Sequence, residues 1–275
     1  MIKLNEKILS SVINKRPQNS YKGMFGRVVI IGGNINFAGA IIMATSAAVY
    51  SGAGLVTTMT SKANKVALNQ SIPEAMYVNY KKINNNINLI KTADVVLIGP
   101  GLGTSQTSKN ILQQVFNIIG KKQVLIIDGS AITLIANDNL QLPKANIVFT
   151  PHQMEWQRLS GLDIKDQNYL NNKVKQAELK STIVLKSHRT EIYTNNNCFQ
   201  NTVGTPAQAT GGMGDTLAGM IAGFSAQFNQ LDLAVAAAVY LHSKIAEELA
   251  KERYVVLPHQ IIQKIPYYMK KYEKK

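Results

Sequence analysis

The chain has 275 residues, 45% of them hydrophobic and 17% charged, with 19 glycines; that balance can bury a full core and excludes disordered and fibrous architectures. A surplus of Lys and Arg, 30 against 16 Asp and Glu, leaves a formal charge of +14, which favours anionic ligands without choosing among nucleotides, nucleic acid and acidic lipid. The single cysteine, Cys198, excludes an intrachain disulfide and any multi-cysteine metal site.

Residues 1–26 interleave Lys, Glu and Arg with apolar residues and have no central apolar core, so no secretion signal is read there and the cytoplasm is the expected location. The long charge-free stretch from Val28 to Ser61 is broken by Asn34, Asn36 and several Gly, Ser and Thr, and reads as strand, loop and buried helix, with no membrane span. Short Val/Ile-rich runs recur at 27–31, 94–99, 123–128, 146–150 and 182–187, each suited to a strand buried on both faces. Helix-length segments lie between them, at 38–51, 106–119, 153–159 and 170–179. The alternation predicts an α/β fold with a mainly parallel central sheet and helices on both faces. Asn84–Asn86 and Asn195–Asn197 read as loop or hairpin tips. Two alanine-rich helical patterns follow at 214–228 and 231–251, and the basic, tyrosine-containing tail reads as a solvated terminal helix. No linker or internal repeat divides the chain, so residues 1–275 are read as one domain.

Several signatures are excluded. Gly120-Lys121 is followed by Lys122, not Ser or Thr, so there is no P-loop. GPGLGTSQ at 99–106 follows a strand and opens a helix without completing G-x-G-x-x-G. Serine-hydrolase and zinc-hydrolase patterns are missing. The informative segment is 204–227, where a glycine-rich turn runs into an alanine-rich helix. Gly211, Gly212, Met213 and Gly214 can offer consecutive backbone N–H groups to an anion at a positive helix end. Asp215, in the first helical turn, reads as an N-cap or as a base that takes a proton from a hydroxyl attacking phosphorus.

ATGGMGD and its helix look like the anion hole and catalytic aspartate of the ribokinase-like fold, a three-layer sandwich. More narrowly, the chain resembles the ADP- or ATP-dependent NAD(P)H-hydrate dehydratases. GRVVIIGG, GAxxxxxxAAxxSGAGLV (39–56), IGPGLG (98–103), TPHxxE (150–155) and VLKxxxT (184–190) fall in that family's order along almost the whole chain. The resemblance implies a repair reaction on the S epimer of NAD(P)H hydrate. ADP phosphorylates the C6 hydroxyl of the damaged ring, phosphate leaves, loss of a C5 proton restores NAD(P)H, and AMP is released. Family relatives are often fused to an epimerase domain, for which this chain is too short, so a separate epimerase is an expected partner. Magnesium and a homotetrameric assembly are also implied, and neither nucleic acid nor membrane.

The resemblance assigns the hydrate to Ala40, Gly103, His152 and Asp215, with Asp215 as the catalytic base. It assigns the ADP or AMP moiety to Lys186, Ser187, His188, Arg189, Thr190 and Gly214. Each has an ordinary alternative: tight packing for Ala40, a plain turn for Gly103, and a strand-end lysine for Lys186. Thr150, Pro151 and Gln153 independently read as N-cap, first helical residue and capping-box partner, which leaves His152 neutral at a positive helix end. Glu155 reads either as a solvated helix carboxylate or as a magnesium contact through water. Gln153-Met154, Ser187, Asp128-Gly129-Ser130, Phe37 and LHSKIAEELA (241–250) depart from the family's usual pattern. A ribokinase-like kinase of a small hydroxymethyl-bearing molecule is the competing enzyme reading. A nucleic-acid-binding protein is the competing non-enzyme reading, and only the tail approaches its basic-aromatic pattern.

Overall fold

The computed structural model describes residues 1–274. Its strands are β1 (Ile2–Lys3), β2 (Arg27–Ile31), β3 (Leu55–Thr60), β4 (Met76–Asn79), β5 (Val95–Ile98), β6 (Val124–Ile127), β7 (Asn146–Phe149), β8 (Thr182–Leu185), β9 (Glu191–Tyr193) and β10 (Cys198–Gln200). Its helices are α1 (Lys7–Val12), α2 (Ala38–Tyr50), α3 (Lys65–Ser71), α4 (Ile87–Lys91), α5 (Gln106–Ile118), α6 (Ser130–Asp138), α7 (Gln153–Ser160), α8 (Tyr169–Leu179), α9 (Met213–Gln227), α10 (Leu231–Leu249) and α11 (Pro258–Tyr272). All ten strands join one sheet, ordered β1-β10-β9-β8-β7-β6-β5-β2-β3-β4.

The five apolar runs read from the sequence are β2, β5, β6, β7 and β8, and they are contiguous at the centre of this sheet. From β4 to β8 every pairing is parallel; β9 is antiparallel to β8 and to β10. Both faces are covered, which is why these runs lack a polar face. Val28, Ile30, Val95 and Leu97 pack toward α2, α9, α10 and α11. Their neighbours Val29, Ile31, Val96 and Ile98 pack toward α5, α6 and α7. The result is the expected three-layer sandwich.

The alanine and glycine content of α2 and α9 has a packing cause. A Cβ on Gly219 would lie 2.1 Å from the carbonyl oxygen of Ala44, and one on Gly223 would lie 2.7 Å from Ser51 Cβ. The two helix backbones touch, and only small residues permit that approach.

Some expectations are corrected. Asn84–Asn86 end a 3-10 segment over Tyr80–Asn86, so they are not a loop tip, whereas Asn195–Asn197 do form the tip between β9 and β10. The tail helix α11 is not merely solvated: Ile261, Ile262 and Ile265 are buried in the core, and only its lysine-rich face is outward. β3 was not foreseen because Thr57, Thr58 and Thr60 interrupt its apolar run; all three are buried. Among the described residues no helix is long and apolar enough to cross a membrane.

Candidate active site

The central parallel strands end level with one another: Ile31 pairs with Ile98, Ile98 with Ile127, and Ile127 with Phe149. The segments that follow them therefore open on one edge of the sheet. The chain leaves β2 for β3 and β4 on one side and returns to β5 on the other, so the order reverses between β2 and β5. In open α/β sheets such a reversal, at the carboxyl ends of the strands, is where a ligand crevice forms.

On the β2/β5 side the crevice is walled by backbone. Gly33 N–H donates to Pro100 O at 2.8 Å and Asn34 N–H to Gly101 O at 2.7 Å, tying the two loops together. Gly103 has φ +80 and a Cβ there would lie 2.6 Å from Asn34 Nδ2, so the position requires glycine. Its N–H donates to Ser130 Oγ at 3.0 Å. Ala40 is half-buried in the first turn of α2, and a Cβ on Gly101 would lie 3.0 Å from its methyl group. Ala40 and Gly103 are thus brought to the same loop pair.

At the centre, the sequence reading of the α7 cap is corrected. The chain stays extended through Pro151 and His152, held by Lys186 N–H donating to Pro151 O at 2.8 Å and by a bridge between His152 and Lys186. The cap consequently falls two residues later. His152 is the N-cap, its Nδ1 accepting from the N–H groups of Met154 and Glu155, and Glu155 Oε2 completes the box by accepting from His152 N–H at 2.8 Å. With Nδ1 accepting, the neutral ring carries its proton on Nε2. Thr150 instead donates through Oγ1 to Asp128 Oδ1 at 2.6 Å. Glu155 is buried, so it is not a solvated carboxylate.

Lys186 projects into this cluster. Its Nζ lies 3.0 Å from Asp128 Oδ1 and 3.9 Å from Glu155 Oε2, and a Cβ on Gly214 would lie 3.3 Å from the same nitrogen. Burial alone would lower its pKa, but the charges of Asp128 and Glu155 outweigh burial and hold it above the ordinary lysine value. The ammonium links the strand-end carboxylates to the start of α9.

Helix α9 begins at Met213, with Gly212 as N-cap in the left-handed region (φ +91) and no side-chain cap. The N–H groups of its first turn are the helix's orphan donors, and a Cβ on Gly211, two residues before the helix, would meet nothing within 4 Å. Asp215 is the third residue of α9 and does not cap it, contrary to the ordinary reading of its position. Burial pushes its carboxyl up to about 6; the charge of Asp128 adds to that, Lys186 opposes it, and Glu155 raises it further. A carboxylate so placed can take up a proton near neutral pH.

Beyond Lys186 a cavity of about 370 Å³ opens, lined by Lys186, Ser187, His188, Thr190 and Gly214 on one side and by the Gly204–Gln208 turn and α10 on the other. Arg189 does not line it; its guanidinium donates to Thr202 O at 3.0 Å. The sequence reading missed Asp128, whose signal was its position at the carboxyl end of a buried strand. It also missed Asn201, Gln208 and His242 on the cavity wall. A larger cavity, about 700 Å³, lies elsewhere, along Arg16, Tyr50, Phe228 and Met269. It sits at the C-terminal end of α2, roughly 15 Å of helix away from Ala40, and its Arg16 is engaged by the Phe25 ring and Gly52 O. Lys186 and Gly214 border the smaller cavity, while Asp128, His152, Glu155 and Asp215 are not among its lining residues. Among the described residues no group of three or more His, Cys, Asp or Glu is placed to hold a metal ion by itself.

Known proteins resemble the chain over almost its whole length. The family model described as NAD(P)H-hydrate dehydratase matches residues 28–267. The chain is 52% identical over 269 residues to the ADP-dependent (S)-NAD(P)H-hydrate dehydratase of Lactiplantibacillus plantarum, covering 98% of this chain and 97% of that one. A ribokinase-like superfamily protein from Enterococcus faecalis superposes with TM-score 0.98 at 54% identity, covering 100% and 97% of the two chains. The ADP/ATP-dependent NAD(P)H-hydrate dehydratase of Bacillus subtilis, co-crystallised with ATP and Mg2+, superposes with TM-score 0.87 at 27% identity, covering 99% of each.

Proposed function

The chain belongs to the NAD(P)H-hydrate dehydratase family, and from that premise we propose that it dehydrates the S epimer of NAD(P)H hydrate at the expense of ADP, releasing NAD(P)H, AMP and phosphate. The observation that supports it most directly is Asp215: a carboxylate raised to about 6 by burial and by neighbouring carboxylates, three residues past the glycine N-cap of an uncapped helix. Hydroxide is a poor leaving group, whereas phosphate is a good one. Asp215 takes the proton from the C6 hydroxyl as its oxygen attacks the terminal phosphorus of ADP. The first-turn N–H groups of α9 and the Gly211–Gly214 loop hold the charge that develops on the transferring group. The ring nitrogen then expels phosphate, and loss of a C5 proton restores the dihydronicotinamide.

The hydrate takes the β2/β5 side, with Ala40, Gly103 and His152, and ADP takes the β8 side, with residues 186–190 and Gly214. Arg189 contributes through backbone at most, its side chain being turned to Thr202. Magnesium would sit between the nucleotide phosphates and Glu155 through water, since one or two carboxylates with phosphate oxygens suffice for it. Bound there, it would neutralise charge on the phosphates. A homotetramer and a separate epimerase supplying the S epimer complete the reading.

The test is recovery of dihydronicotinamide absorbance from NADH hydrate with magnesium and ADP, ATP or no nucleotide. Nucleotide-dependent recovery, strongest with ADP, is expected. No recovery with any donor, despite measurable ADP binding, would transfer the site to a small-molecule kinase of the same fold.

A further inference from the structure

Three adjacent parallel strands each run into a polar residue: Asp128 follows β6, Thr150 follows β7 and Lys186 follows β8. Their side chains meet at one atom. Asp128 Oδ1 accepts from Thr150 Oγ1 at 2.6 Å and lies 3.0 Å from Lys186 Nζ. Asp128 and Thr150 are 2% and 0% exposed, and neither lines the cavity beyond Lys186. A carboxylate is costly to bury unless it is both paired and hydrogen-bonded. Here the lysine supplies the charge and the threonine the hydrogen bond.

This arrangement decides where the ammonium stands. An unpaired lysine at a strand end sends its head into water. Lys186 borders the cavity, yet its Nζ is drawn back to Asp128 and stands 3.3 Å from a Cβ placed on Gly214. The other carboxylate within reach, Glu155, is farther away, at 3.9 Å, and its Oε2 already accepts from His152 N–H at 2.8 Å. Thr150 in turn fixes Asp128. Its backbone N–H donates to Ile127 O at 3.1 Å, within the sheet, and its branched side chain is stiff about χ1. The hydroxyl therefore offers Asp128 Oδ1 a donor of fixed position.

We propose that Asp128, oriented by Thr150, is a positioning residue that holds the Lys186 ammonium beside Gly214 at the start of α9, where it meets the phosphates of the nucleotide. The proposal rests on the assignment of ADP to the Lys186 side of the crevice. A lysine free to rotate loses side-chain entropy when an anion immobilises it, and one already held loses little. The held ammonium keeps N–H groups to offer, because Asp128 does not use them all. Asp128 is itself negative, so its direct effect on a bound anion is repulsive. Positioning and repulsion therefore predict opposite consequences of removing its charge.

The experiment measures Kd for ADP by calorimetry and KM for NADH hydrate at saturating ADP, with melting curves to show that each protein is folded. The proteins are the intact wild type, Thr150→Val, Thr150→Ser, Asp128→Asn, Lys186→Ala and the variant combining the last two. Asp128→Asn should raise Kd for ADP by about 10-fold and leave KM for the hydrate unchanged. Thr150→Val, which changes no charge, should raise that Kd by about 3-fold, and Thr150→Ser, which restores the hydroxyl, should recover most of the loss. Because Asp128 acts through Lys186, Asp128→Asn should weaken ADP no further in the Lys186→Ala background. An unchanged or lower Kd in folded Asp128→Asn would overturn the proposal and leave Asp128 as a repulsive charge. So would a further rise in the combined variant, or an equal loss for ADP and hydrate, which a general distortion gives. Failure of the proposed reaction reads differently: the pattern of Kd values would hold while no donor restores dihydronicotinamide absorbance. Absence of ADP binding in the wild type would strike both.

Discussion

Lys186 Nζ stands 3.0 Å from Asp128 Oδ1 and is the nearest atom to a Cβ placed on Gly214, so one ammonium joins the strand-end carboxylates to the glycine loop of α9. Removing it acts on both sides. Lys186→Ala should raise KM for ADP more than KM for the hydrate, because a cation is lost beside the proposed phosphate site. It should also raise the Asp215 pKa further, since Lys186 is the charge that holds it down. Steady-state KM values for both substrates check the first expectation; equal weakening of both would place the nucleotide elsewhere.

The raised pKa of Asp215 gives the activity an acid limit. The proposed base works only when ionised, so kcat/KM should fall as pH drops through about 6. Asp128→Asn removes a charge that raises this pKa and should move the acid limb to lower pH. A pH–rate profile with the same limb in both proteins would detach Asp128 from Asp215.

Asp215→Asn should keep the fold and ADP binding and lower turnover by about 10²–10⁴-fold, the usual worth of a positioned acid or base. It should also change stability in a defined direction. A carboxyl whose folded pKa lies at about 6, above its unfolded value of 3.8, contributes stability that is complete below the unfolded value and is lost as pH rises through 6. The wild type should therefore lose stability between pH 4 and 6 relative to Asp215→Asn, and the variant should melt higher at pH 7.5. Thermal melts of both proteins at pH 4 and pH 7.5 measure this; a variant that is less stable at pH 7.5 would contradict it.

The centre of the sheet was legible in the sequence because β2, β5, β6, β7 and β8 are buried on both faces and so contain little but Val, Ile and Leu. β3 was not legible, because Thr57, Thr58 and Thr60 read as loop when their burial and hydrogen bonds are unknown; Thr58 shares a hydroxyl hydrogen bond of 2.9 Å with Thr45. The glycine loop and Asp215 were legible as a local pattern. Asp128 was missed because its place at the end of a buried strand does not reveal its pairing with a lysine 58 residues away. The α7 cap was misplaced for a similar reason: the bridge between His152 and Lys186 keeps the chain extended past Pro151, and that contact is nonlocal. His242 was hidden in an alanine-rich helix, where one polar residue on an apolar face gives no sign of opening onto a cavity.

Two glycines of the same segment should respond in opposite ways to an added methyl group. A Cβ on Gly219 would stand 2.1 Å from the carbonyl oxygen of Ala44 and 2.9 Å from its Cα. Both are backbone atoms within α2, so no side-chain rotation can relieve the clash, and the helices must separate. Gly219→Ala should destabilise the fold by about 1–3 kcal/mol or more, as overpacking does, read as a fall in Tm of roughly 3–10 °C for a chain of this size. Gly211, in the proposed anion loop, would place its Cβ with nothing within 4 Å. Gly211→Ala should leave Tm nearly unchanged and express any effect as a raised KM for ADP, where the methyl group meets the incoming phosphates. Melting curves and ADP titrations of the two variants separate the roles, and a large drop in Tm for Gly211→Ala with none for Gly219→Ala would reverse the assignment of which glycine serves packing and which serves the ligand.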